Sequence, residues 1–190
     1  MIAYKAFHKD LQCRDYQFHM GLNSTDKANC RENGFHCAAN PLDCLSYYCL
    51  GDGTELYIVK AGGDIDEDEI DSKISCTELT ILKKLDLGEL LLHALAYMVD
   101  HPTMPWNRNV CRNSGTADQG FAIVRGVDPI AMGKRGDYLA FAKELPDGSR
   151  VSDILVVRVD GEKIAEDTYY NFMGRKVIEP SCPHESSEVI

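Results

Sequence analysis

The chain has 190 residues, 44% of them hydrophobic and 26% charged, with a formal net charge of −10. That fits one globular domain, or one with a small appendage, with enough apolar residues to bury a core. The acidity argues against a nucleic-acid binder that tracks phosphates, because that function needs a basic footprint.

The acid is unevenly spread: residues 1–104 hold nine Lys and Arg against 17 Asp and Glu. "MIAYKAFHKDLQC" has no apolar run after its charges, so no signal peptide is expected. No run approaches the length of a membrane span. A cytoplasmic location follows as the expectation, with the eight cysteines as thiols.

Residues 2–8, "IAYKAFH", alternate like a strand. "CRDYQFHMG" (13–21) alternates again, and 23–29 reads as a polar loop. "GFHCA" is short and extended. "NPLDCLSYYCLG" starts like a helix, with Asn40 as cap and Pro41 in the first turn, and ends at Gly51. Strands are expected at 54–63 and 72–85, with the acidic run "DIDEDEID" as the loop between them. "LGELLLHALAYMVDH" (87–101) has the clearest helical stripe, stopped by Pro102.

After Pro105 the texture turns rich in Gly and Ala. "FAIVRGVDP", "IAMGKRGDY" and "LAFAKELPD" follow one another in nines from residue 121. Such a period suggests stacked coils of a narrow β-roll, or else an Ala/Gly-rich antiparallel hairpin. A strand from 152 leads into "VDGEK", a hairpin signal, and 167–180 offers two short strands. The expected class is therefore α+β. An N-terminal domain of antiparallel strands with two helices spans 1–104, a β-roll or sheet with a β-hairpin cap spans 105–180, and 181–190 form a tail. Exposed roll edges would favour a homodimer.

Several clusters could carry chemistry. Cys13, Cys30, His36, Cys37 and Cys44 are zinc-ligand types, but no Cys-x2-Cys knuckle occurs. His36 and Cys37 are adjacent, so on a strand they face opposite ways. The expectation is a packed thiol core and no metal or other cofactor. Asp64, Asp66, Glu67, Asp68, Glu69 and Asp71 form an acidic loop, either simply solvated or presented to a basic partner. Tyr4, His36 and Tyr47 are loosely similar to the nucleotide-holding half of ADP-ribosyltransferases, enzymes that use NAD. Arg14 or His8 would then be the early residue, while Glu144, Glu162 and Glu166 are not placed as the late acid. No phosphate-loop motif is present.

"YKAF", "CRDYQF", "CRENGFHCAANPLDCLSYY", "DSKISCTELTI" and "VDGEKIAEDTYY" together resemble an uncharacterised family of phages, prophages and bacteria. Its signature runs Cys…Gly-Phe-His-Cys…Asn-Pro-Leu-Asp…Tyr-Tyr, often before Gly/Ala/Ser-rich β-roll repeats. The resemblance implies no agreed activity. With the acidic first half, it suggests an accessory protein that binds and inhibits a host protein. A defence nuclease with a basic cleft, met by an anti-CRISPR-type inhibitor, is one such target. The alternatives are an NAD-using enzyme or a zinc-containing interaction module.

Overall fold

The computed structural model describes residues 1–48, 50, 53–68 and 71–178. It is mostly β-sheet. The first sheet holds β1 (Ile2–Phe7), β4 (Gly21–Ser24), β5 (Phe35–Ala38), β6 (Glu55–Glu67) and β7 (Lys73–Leu85). A small hairpin of β2 (Gln12–Cys13) and β3 (Tyr16–Gln17) stands beside it.

β7 pairs with β4, β5 and β6, β6 pairs with β1, and β1 returns to β5. The path β1–β6–β7–β5 thus closes into a small barrel. Its interior is apolar: Ala3, Phe7, Phe18, Phe35, Cys37, Tyr57, Val59, Ala61, Ile74, Cys76, Leu79 and Ile81 pack together. Closure needs sharp bends, and β6 supplies them with bulges after Ile58 and Gly62. Gly63 sits at φ +67°, and a Cβ there would lie 2.1 Å from Thr77 Oγ1, so only glycine fits.

The closing seam is narrow. β1 meets β5 through the single pair Tyr4↔Ala38, whereas it follows β6 from Ile2↔Lys60 to Phe7↔Glu55. Beyond Tyr4 the two strands part.

Helix α1 (Leu87–Asp100) starts with a capping box of Asp86 and Glu89. It lies between the barrel and the second sheet. Leu90 packs on the barrel's outer face with Tyr4, Ala6, Leu56 and Leu85. Leu91, Ala94 and Leu95 pack with Leu42, Phe121, Ile123, Ala140, Ala142 and Val151. The apolar core therefore runs continuously across residue 104. No helix among the described residues is long and apolar enough to cross a membrane.

The second sheet has the order β11 (Val151–Arg158), β10 (Tyr138–Glu144), β9 (Phe121–Met132), β12 (Tyr170–Asn171), with β8 (Val110–Thr116) also on β9. β8, β9 and β10 run parallel, and β11 and β12 are antiparallel to their neighbours. Tyr138 lies opposite Phe121 and Leu139 opposite Ala122, so the spacing of paired strands is not the nine-residue unit of the sequence. In this sheet Arg125 Nε donates to Glu144 Oε1 at 2.7 Å, both side chains buried. The Trp106 ring lies against the guanidinium groups of Arg125 and Arg112.

Four local expectations change. The stretch 13–21 is not one strand: Arg14, at φ +53°, turns the chain between β2 and β3. The helix from Pro41 is a six-residue 3-10 helix, Pro41–Ser46, with the expected Asn40 cap. Its three-residue turn puts Leu42 above Leu45 toward the second sheet. Cys49 and Gly51 of that expectation lie outside the described residues. The acidic run is not all loop: β6 continues through Asp64, Asp66 and Glu67 because β7 still pairs with it, at Ile65↔Cys76 and Glu67↔Ile74. "VDGEK" is a turn instead of a hairpin: the Asp160 carboxylate accepts the backbone N–H groups of Glu162, Lys163 and Ile164.

Candidate ligand-binding cavity

Where β1 and β5 part, the barrel opens into a cavity of about 980 Å³. The β2–β3 turn, residues 31–38 and the 3-10 helix surround it. Gly34 allows the chain to enter β5 here. It has φ +86°, and a Cβ would lie 2.3 Å from Ser75 Oγ.

Strand alternation puts Lys5 on the same side as Ala3 and Phe7, facing inward. Lys5 is 6% exposed and lines the cavity. Its Nζ donates to the His36 carbonyl at 2.7 Å and contacts Cys13 Sγ at 3.7 Å. It also lies 5.2 and 5.3 Å from the ring centroids of Phe7 and Phe18. A continued ladder would have satisfied the His36 carbonyl from β1; with the seam open, the lysine does so instead. No carboxylate among the described residues forms an ion pair with it. An ammonium has three donors, and two partners account for two of them.

The aromatic wall carries Tyr16, Tyr47 and Tyr48. Tyr48 Oη lies 3.0 Å from Cys13 Sγ, and Lys73 Nζ lies 3.8 Å from the Tyr47 ring centroid. Burial, and then the bond to Cys13, hold the Tyr48 phenol protonated well beyond its usual range. Arg14 and Lys73 add positive charge at the wall, and Arg31 is paired with Asp68. Of the acidic lining residues, Asp43 is already bonded to Ser72 and Asn107.

Tyr4, His36 and Tyr47 all line this cavity, as do Arg14 and His8. The hydroxyls of Tyr4 and Tyr47 and Nε2 of His36 are engaged elsewhere. Tyr4 Oη meets His93 Nδ1 at 3.0 Å. His36 Nε2 accepts the Arg31 backbone N–H at 3.0 Å. Tyr47 Oη donates to Asp71 at 2.8 Å. Glu144 is in the buried pair with Arg125, and Glu162 and Glu166 are exposed on the C-terminal half.

The zinc candidates do not converge. Among the described residues no three His, Cys, Asp or Glu side chains gather as a metal site. Cys30 bonds to the Lys73 carbonyl, Cys37 lies in the barrel core, and Cys44 is buried and pushed up to about 12 by that burial. Of the acidic set, Asp66 accepts the Cys30 N–H, Asp68 pairs with Arg31, and Asp71 is held by Tyr47 and Lys73. Glu69 lies outside the described residues. The residues that sequence reasoning passed over are Lys5, Tyr48 and Lys73. Only the inward register of "AYKAF" hinted at the first.

His36 reports the charge of the cavity. Burial first, and then Lys5, Lys73 and Arg14, hold its imidazole below the ordinary 6.5. On acidification the unfolded chain therefore takes up this proton before the folded one does. The stability that neutral His36 contributes is complete above about pH 6.5 and declines as pH falls through that value. Urea midpoints measured between about pH 7.5 and pH 5 should fall less steeply for His36→Asn than for the wild type. Parallel profiles would contradict this.

No curated protein and no solved structure matches the chain. Residues 1–93, which contain every described residue lining the cavity, match the family model described as "Domain of unknown function (DUF7666)".

Proposed function

We propose that the barrel binds a small organic oxyanion, its acid group on Lys5 and its body against Tyr16, Tyr47 and Tyr48. One observation carries this reading: the Lys5 ammonium is buried in the cavity wall and has a carbonyl and a thiol, but no carboxylate among the described residues, as partners. A buried cation without a counter-charge is costly, and an anion that reaches it recovers that cost. The cavity is at the upper end of the usual size for small-molecule sites, so the ligand is larger than a bare phosphate. NAD belongs to this class of ligand and keeps the enzyme alternative testable.

The test is calorimetric titration of the full chain with phenyl phosphate and with NAD. Saturable binding of either to the wild type is expected. A charge-assisted hydrogen bond contributes roughly 1.5–3 kcal/mol, so Lys5→Met should weaken that binding by about ten- to a hundredfold. Thermal melting of the variant checks that it folds. Equal binding by both proteins, or none by the wild type, would overturn the proposal.

A second reading keeps the acidic hairpin as a protein-binding surface. Asp64 and Glu67 are exposed on the strand that carries Ile65, itself 40% exposed, and their carboxylates have no partner among the described residues. They would face the basic cleft of a host protein, such as a defence nuclease inhibited in the anti-CRISPR manner. Salt-sensitive capture of one nucleic-acid enzyme from a bacterial host is expected, and Asp64→Asn with Glu67→Gln should abolish it. Capture that survives both substitutions would remove this surface from consideration.

A further inference from the structure

Cys13 ends β2 in the cavity wall, partly exposed, with two polar groups on its sulfur. Lys5 Nζ is 3.7 Å away and Tyr48 Oη 3.0 Å away. The other described cysteines lack this setting. Cys37, Cys44 and Cys76 are buried, the Cys30 thiol is raised first by burial and then by Asp68 and Asp66, and Cys111 is exposed outside the cavity. An acid group held on Lys5 therefore lies beside a sulfur, and the carbon next to that acid group comes within reach of it.

We infer that Cys13 is the nucleophile of this cavity, and that it takes small carboxylic acids carrying an electrophilic carbon beside the acid group, of which 2-oxo acids are the biological form. This rests on Lys5 as the anion anchor. The sulfur adds to the 2-oxo carbon, forming a C–S bond as the carbonyl π pair moves onto oxygen. That oxygen takes up a proton by way of the Tyr48 hydroxyl, and the thiol proton replaces the one Tyr48 gave. The product is a hemithioketal, with no electrons gained or lost and no other reactant. The neutral phenol next to the sulfur suits that relay.

A matched pair of alkylating agents tests the geometry. Iodoacetate is an anion and iodoacetamide is its neutral counterpart. Both form a C–S bond as iodide leaves. The reduced full chain is treated briefly with each, and labelling at Cys13, Cys30 and Cys111 is followed by peptide mass spectrometry. Iodoacetate should label Cys13 at least about tenfold faster than iodoacetamide, because the anchor orients its carbon. At Cys30, among carboxylates, iodoacetamide should be the faster. Lys5→Met should remove the preference at Cys13, and Lys5→Arg should retain it.

No preference for iodoacetate at wild-type Cys13 overturns the inference. Phenyl phosphate titrations run alongside separate the two claims. If that ligand binds in a Lys5-dependent way while Cys13 shows no preference, the anchor stands and the nucleophile falls. If it binds neither protein and Cys13 shows no preference, both fall.

Discussion

The hydrogen bond from Lys5 Nζ to the His36 carbonyl joins two facts that would otherwise conflict. The barrel must close through β1 and β5, yet those strands share one residue pair. A fuller ladder would satisfy every backbone group and leave no room for a cavity. The open seam leaves a carbonyl that needs a donor, and the lysine provides it from the inward face of β1. The same bond fixes an ammonium in the cavity wall, against Phe7 and Phe18. One side chain thus completes the open seam and places a buried positive charge in the cavity wall.

The surroundings tie that arrangement to the rest of the fold. The 3-10 helix forms one side of the cavity and also inserts Leu42 and Leu45 among residues of α1 and the second sheet. Asp43 on that helix ties Ser72 of the barrel to Asn107 beyond α1. Truncating Leu42, which is fully buried, would leave a void felt on both sides. Among the described residues the C-terminal half, with its own buried Arg125–Glu144 pair, supplies none to the cavity but braces the 3-10 helix that does. The described lining of the cavity is accordingly contained in the residues that match the domain of unknown function.

Much of the architecture was legible because periodicity and caps are local signals. β1, β7 and α1 fall within a residue or two of where "IAYKAF", "SKISCTELTILKKL" and "LGELLLHALAYMVD" place them. The acidic run misled because charge suggests a loop, while pairing with β7 carries β6 through Glu67. The nine-residue period describes where small residues recur and not how strands pair, since pairing is fixed by bends the sequence does not announce.

The site itself was half legible. Tyr4, His36 and Tyr47 do meet at one cavity, but the Tyr4 hydroxyl, His36 Nε2 and the Tyr47 hydroxyl are engaged with His93, Arg31 and Asp71. Lys5 was passed over because a lysine in an alternating strand reads as the solvent side. Its register with Ala3 and Phe7 hinted at the inward side, but the opened seam that makes that side a cavity wall is a tertiary feature.

Anomalous scattering from crystals soaked in bromide tests the central claim most directly. A bromide peak within hydrogen-bonding distance of Lys5 Nζ, absent from Lys5→Met crystals, is the expected result. Bromide found only on the outer surface, with a carboxylate or a continued β1–β5 ladder beside Lys5, would contradict the account.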